Sequence, residues 1–187
     1  MRTFFCIPLA LDTREVVGAA AEQIRTATRM RASWVQREDY HLTVRFLGDV
    51  DSTLTVDLEQ LARRVVSDRA SFAVRLDRLG AFPSIERARV LWCGGATSDA
   101  YVGLVHELNG ELRDIGFEAE RKPLVSHVTI ARIKGTPDPR LGGIVNGLNP
   151  LPVKMVRVDR LVLMESRLTR DGAVYTPLFE ARFGGRT

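Results

Sequence analysis

Lysine is scarce in this chain of 187 residues, occurring only at Lys122, Lys134 and Lys154, so the net charge of +4 is carried mostly by arginine. Arginine's planar fork matches phosphate oxygens better than a point-charge ammonium does, which weakly favours a polyanionic ligand. Cysteine is rarer still. Cys6 and Cys93 each lie inside an apolar, strand-like run, so both are expected to be buried thiols, and a disulfide-framed secreted scaffold is excluded. No uncharged apolar run reaches the roughly 18 residues of a membrane-spanning helix. Residues 1–8 have neither the apolar core nor the cleavage site of a secretory signal. The expected location is the cytoplasm. Linkers rich in Pro, Gly or Ser are also missing, and 45% hydrophobic content can fill one sizeable core. One domain over 1–187, with two lobes, is the expected organisation.

What is present is a mixed order of strands and helices. Alternation and β-branched or aromatic content predict strands over residues 3–9, 34–35, 40–47, 72–76, 89–93, 127–133, 153–158, 160–164 and 173–183. Gly48 punctuates the third of these, and Asp171-Gly172 offers a turn between the last two. The simplest pairing joins residues 72–76 to 89–93. Helical periodicity predicts a helix to Arg29 with Asp12 or Thr13 as its cap, and another from about residue 54 behind Asp51 or Ser52. A third follows Asp99 with the stripe Val102, Val105, Leu108, Leu112 and Ile115, ended by Gly116. A short one spans 141–148. Helices interleaved with hairpin-like strands argue for an α+β fold.

Two segments repeat each other: His41-Leu42-Thr43-Val44 and His127-Val128-Thr129-Ile130. On a strand, side chains alternate between faces, so each repeat offers a histidine and a threonine on one side and two apolar residues on the other. Set side by side, the two imidazoles flank a volume suited to a phosphate. Histidine's ordinary pKa near 6.5 allows one ring to donate a proton while its partner accepts one. The hydroxyls of Thr43 and Thr129 can hold the non-bridging oxygens. This scheme needs no metal and no cofactor, and neither histidine has a Cys or carboxylate at metal-ligand spacing. His106, the third histidine, reads as a partly buried helix residue.

With both motifs in view, the chain resembles the 2H phosphoesterase superfamily, which carries two HxTx signatures, and within it the RNA 2′,3′-cyclic phosphodiesterase branch, also called the bacterial and archaeal 2′-5′ RNA ligase family. The flanks add to the likeness: Trp34-Val35, Phe46-Leu47-Gly48, Arg89-Val90-Leu91-Trp92, Glu165-Ser166-Arg167-Leu168 and Gly172-Ala173-Val174-Tyr175.

The resemblance implies a bilobal α+β fold of mainly antiparallel sheets around a central cleft, with helices outside and one histidine from each lobe. It implies hydrolysis of 2′,3′-cyclic phosphate ends of RNA, tRNA fragments among them, to 2′-phosphomonoesters. His41 would protonate the leaving 3′ oxygen and His127 would activate water. The reverse, 2′-5′ joining without ATP, would use the same groups. A phosphate-binding arginine five positions past the second histidine would be Arg132, although strict alternation puts it on the face opposite His127. Arg45 has the right parity but reads as a solvated edge charge. Rival readings are a phosphodiesterase for small cyclic phosphates or 2′-5′ oligonucleotides, and a non-catalytic module that binds RNA ends.

Overall fold

The computed structural model describes residues 1–120, 124–169 and 173–185. In chain order the elements are β1 (Arg2–Pro8), α1 (Leu11–Ala27), β2 (Ala32–Trp34), β3 (His41–Asp49), α2 (Thr55–Ser67), β4 (Phe72–Leu76), β5 (Arg78–Phe82), β6 (Val90–Gly94), α3 (Asp99–Asp114), β7 (His127–Ile133), α4 (Leu141–Leu148), β8 (Lys154–Val158), β9 (Arg160–Leu168) and β10 (Ala173–Arg182). The fold is the expected α+β arrangement. Strands β10-β9-β1-β3-β7-β6-β5 form one antiparallel sheet in that order, with β2 also paired to β7, and β4 pairs with β8 in a separate ribbon. No described helix is long and apolar enough to cross a membrane.

The helices form where the apolar stripe recurs, but their starts differ from the sequence reading. Helix α1 buries Val17, Ala20, Ala21 and Ile24, yet begins at Leu11 without a side-chain cap. Asp12 lies in its first turn, where its carboxylate accepts a hydrogen bond from Lys154 Nζ at 2.8 Å. Asp51 does cap, accepting from the Thr53 amide at 2.9 Å at the head of a short 3-10 turn that runs into α2. The cap of α3 is Ser98 rather than Asp99. Helix α3 ends as expected at Gly116, whose φ of +94° suits glycine. There the Gly116 amide donates to the Arg113 carbonyl and the Phe117 amide to the Leu112 carbonyl, both at 3.0 Å, which closes the last turn in a Schellman motif. Ile115, expected in the apolar stripe, is exposed beyond that turn. His106 is exposed as well, not partly buried.

Two strand expectations also change. The 72–76 strand pairs with β8, eighty residues away, and not with residues 89–93, which pair instead with the unforeseen β5 and with β7. Gly48 does not end β3. It sits in a bulge opposite Thr3 with φ of +77°, and the strand continues to Asp49. The turn expected at Asp171-Gly172 falls outside the described residues. Both thiols are buried and unpaired, as expected, and burial pushes each up to about 12.

The main core lies on one face of the large sheet, where Phe5, Ile7, Leu42, Val44, Val128 and Ile130 meet Val17 and Ile24 of α1, Leu58 and Leu61 of α2, and Leu104 and Leu108 of α3. The opposite face carries a small second cluster of Phe4, Cys6 and Val162. At the centre, β3 and β7 meet antiparallel through one register pair, Leu42 and Val128, both fully buried. That pair fixes how the two repeated motifs sit against each other. Truncation in Leu42→Ala leaves a cavity under the crossing and is expected to cost about 2–5 kcal/mol. Urea denaturation checks this, and a loss under about 1 kcal/mol would show that the crossing does not depend on the packing.

Candidate active site

The two motifs adopt the same local structure, residue for residue. In β3 and in β7 the first six positions run half-buried, buried, half-buried, buried, buried, exposed. The repeated "buried, buried" step marks a β-bulge. Opposite β1, Val44 is the extra residue between pairs Cys6–Thr43 and Phe5–Arg45, and opposite β6, Ile130 is the extra residue between pairs Trp92–Thr129 and Leu91–Ala131. Each bulge lies three residues past its histidine and reverses the alternation beyond it. Arg132 therefore shares the face of His127 and Thr129, and Phe46 shares that of His41 and Thr43. Strict alternation fails at this point, and the arginine is available to the site.

The same reversal turns Arg45 toward the core, against the expectation of a solvated charge. Its side chain is only 8% exposed, and Nη1 pairs with the Glu120 carboxylate at 3.3 Å. Nη2 donates to the Glu118 carbonyl. Arg45 thus ties the first motif to the segment that leads into β7.

Around the Leu42–Val128 crossing, the antiparallel direction sets His41 across from Thr129 and Thr43 across from His127. All four polar side chains are half-buried on one face. Each imidazole is fixed through Nδ1 to a backbone carbonyl two residues upstream: His41 to Asp39 at 2.7 Å and His127 to Val125 at 2.8 Å. A carbonyl only accepts, so each Nδ1 carries the hydrogen. This leaves Nε2 as the working atom on both rings, a base when the ring is neutral and an acid when it is charged.

Each ring also has two aromatic neighbours. Phe4 stacks on His41 with centroids 4.9 Å apart, and Tyr175 meets it edge-on at 5.3 Å. Phe82 meets His127 edge-on at 5.0 Å, with Trp92 at 6.4 Å. Gly80 makes room for the second pair: a Cβ there would lie 2.3 Å from the Trp92 ring. The sequence reading missed these aromatic neighbours because they come from β1, β5, β6 and β10, and only the sheet order brings them to the histidines.

The aromatic surroundings have an electrostatic effect. Burial pushes His41 down to about 4; the Asp39 carbonyl opposes this, and positive charge from Arg132, His127 and Arg14 adds to it. His127 is lowered by burial and by Arg132, with the Val125 carbonyl opposing. The charges acting on both rings are cationic, so an anion seated between them would raise both. Among the described residues no three His, Cys, Asp or Glu side chains cluster to hold a metal ion.

The family described as LigT like phosphoesterase matches residues 7–92 and 96–175, which include both motifs. The chain belongs to this family. Among relatives of the family, an RNA 2′,3′-cyclic phosphodiesterase of Thermotoga maritima is 35% identical over 99% of this chain and 97% of its own length. One of Aeropyrum pernix is 33% identical over 79% of this chain and 84% of its own. The fold matches a crystal structure from Thermus thermophilus with a TM-score of 0.82 and 26% identity, covering the whole of both chains. Escherichia coli LigT, solved with 3′-AMP, matches with a TM-score of 0.76 and 23% identity over 97% of each chain, a likeness of fold.

The locked rings give a direct test. In the ligand-free protein at pH 7 both site imidazoles should be neutral with hydrogen on Nδ1, His41 charging only near pH 4 and His127 below its ordinary 6.5. Nitrogen-15 NMR titration of the ring nitrogens reads this, and an Nε2–H tautomer on either ring would contradict the carbonyl locks.

Proposed function

We propose that this chain hydrolyses the 2′,3′-cyclic phosphate at the 3′ end of RNA to a 2′-phosphomonoester, using His41 and His127 as a metal-independent acid–base pair within one domain whose halves each contribute one histidine. The observation that carries the reading is the duplicated, carbonyl-locked His-x-Thr on one face of two adjoining strands. The names of the relatives support the same substrate class.

In the proposed reaction, water attacks phosphorus and gives its proton to Nε2 of neutral His127. The P–O3′ bond breaks, and protonated Nε2 of His41 delivers its proton to the departing 3′ oxygen. The hydroxyls of Thr43 and Thr129 donate to the non-bridging oxygens, and Arg132 supplies fixed positive charge there. His41 gains its proton as the anionic phosphate enters, since that charge offsets the burial that keeps the free ring neutral. An acid so easily discharged suits a poor alkoxide leaving group. With a 5′-hydroxyl attacking in place of water, the same groups in the same roles would join the two ends through a 2′-5′ bond and release the 3′ hydroxyl. Fragments of tRNA are one source of such cyclic ends.

His41→Ala and His127→Ala should each lower hydrolysis by about 10² to 10⁴, and the double variant should lose little more, because the pair acts as a unit. Steady-state kinetics on a cyclic mononucleotide tests this; either single variant retaining above about a tenth of the rate would remove that histidine from the chemistry.

The pH profile follows from the shifts. The free enzyme is competent with one ring charged and one neutral, and both rings are lowered, so kcat/KM should be bell-shaped with its maximum below pH 6.5. The kcat bell should lie at higher pH, since bound phosphate raises both rings. A kcat/KM that climbs steadily through alkaline pH would mean hydroxide attack without a general acid.

A further inference from the structure

A larger opening adjoins the phosphate site through Tyr175, whose ring meets His41 edge-on, and through Arg132. This groove of about 960 Å³ is lined by Arg132 and Tyr175 together with Trp34, Arg37, Leu168 at the end of β9, and Lys134 just past β7. That volume is at the upper end of the range for ligand pockets and exceeds what one phosphate needs.

Its charge is uneven. Arg25 and Glu22 also border the groove, but Arg25 donates two 2.7 Å hydrogen bonds to the Glu22 carboxylate, so the two largely cancel. The Asp39 carboxylate is the other anion there. Arg37, Arg132 and Lys134 form no ion pair with any described residue. Arg37 is also laid along the wall: Gly18 of α1 leaves a hollow under it, where a Cβ would come within 2.6 to 2.9 Å of its Nε, Cδ and Cγ. Trp34 and Tyr175, both half-buried, add aromatic surface. Unpaired cations interleaved with aromatic rings suit a single-stranded nucleic acid, whose phosphates track the charge while its bases stack.

Direction completes the match. A nucleotide whose 2′ and 3′ oxygens are both tied up in the cyclic phosphate can continue only through its 5′ carbon, so one strand leaves the site. Arg132 lies at the join, facing the histidines and paired in register with Ser33 of β2, which also lines the groove.

We propose that this groove binds the nucleotides preceding the cyclic end, so that the preferred substrate is a single-stranded RNA terminus and not a cyclic mononucleotide. Arg37 and Lys134 hold internal phosphates, and Trp34 receives a base. The inference rests on the phosphodiesterase reading above.

The test compares kcat/KM for adenosine 2′,3′-cyclic phosphate with that for a trinucleotide ending in the same group, in the wild type and in the double variant R37Q/K134Q. The trinucleotide should be favoured at least about tenfold at low salt, chiefly through KM, and the advantage should shrink with added salt. In R37Q/K134Q the ratio of the two substrates should fall toward unity. Equal kcat/KM for both substrates in the wild type, or a length advantage that survives in R37Q/K134Q, overturns the groove and leaves the phosphodiesterase reading standing. If neither substrate is hydrolysed, that reading fails instead. Fluorescence anisotropy with a labelled trinucleotide 2′-phosphate then decides the groove by itself: wild-type binding that weakens in R37Q/K134Q supports it, and indifference to the substitutions overturns it.

Discussion

One extra residue in each of two strands sets the character of this site. Val44 and Ile130 are the unpaired members of bulges three positions past the histidines. A regular ladder would send Arg132 into the helical core and bring Ala131 to the face of the two histidines. With the bulge, a charge that would have been costly to bury becomes available for chemistry. The reversal has the opposite effect in β3, where Arg45 turns inward. It is tolerated there because the Glu120 carboxylate and the Glu118 carbonyl meet its guanidinium. Breaking that pair would leave a buried charge uncompensated, so the segment leading to the second histidine is tied to the first motif by the same distortion that shapes it.

The electrostatics of the site point the same way. Two half-buried imidazoles packed against aromatic rings, with Arg132 beside them, favour the uncharged state. An anion completes the field, and by linkage an anion that raises the rings' proton affinity binds more tightly when they are protonated. Ligand and proton therefore arrive as partners. The carbonyl locks matter here because they spare the rings any reorientation: Nδ1 is held in both charge states, and only Nε2 changes.

Much of this was legible in the sequence. A repeated four-residue pattern with a two-residue period carries its own geometry, so the pairing of His41 and His127 with Thr43 and Thr129 on one face could be read directly. Helix stripes were equally plain, and caps were less so, because Asp12 and Asp99 fit the chemistry of a cap while sitting one or two residues inside the first turn. What stayed hidden depended on distant partners. The segment Arg78–Phe82 lacks a strand signal because Gly80 interrupts it, yet glycine is required there by the Trp92 ring on the neighbouring strand. Residues 72–76 pair with a segment eighty positions later, which no local pattern encodes. A bulge likewise leaves no mark in the pattern of residue types. The chain offers two inward residues in succession, and which pair they form is decided by the strand alongside.

The two motifs match closely in backbone and burial, but at the fifth position past the histidine one carries Phe46 and the other Arg132. A perfectly duplicated site would be degenerate: a cyclic phosphate, with its two bridging oxygens, could dock in either of two orientations related by the near-symmetry, exposing the 2′ oxygen to departure in one and the 3′ oxygen in the other. A guanidinium on one side and a phenyl ring on the other lift that degeneracy. In the proposed reaction, this difference between the two halves bears on regiochemistry, the choice of which ester bond breaks.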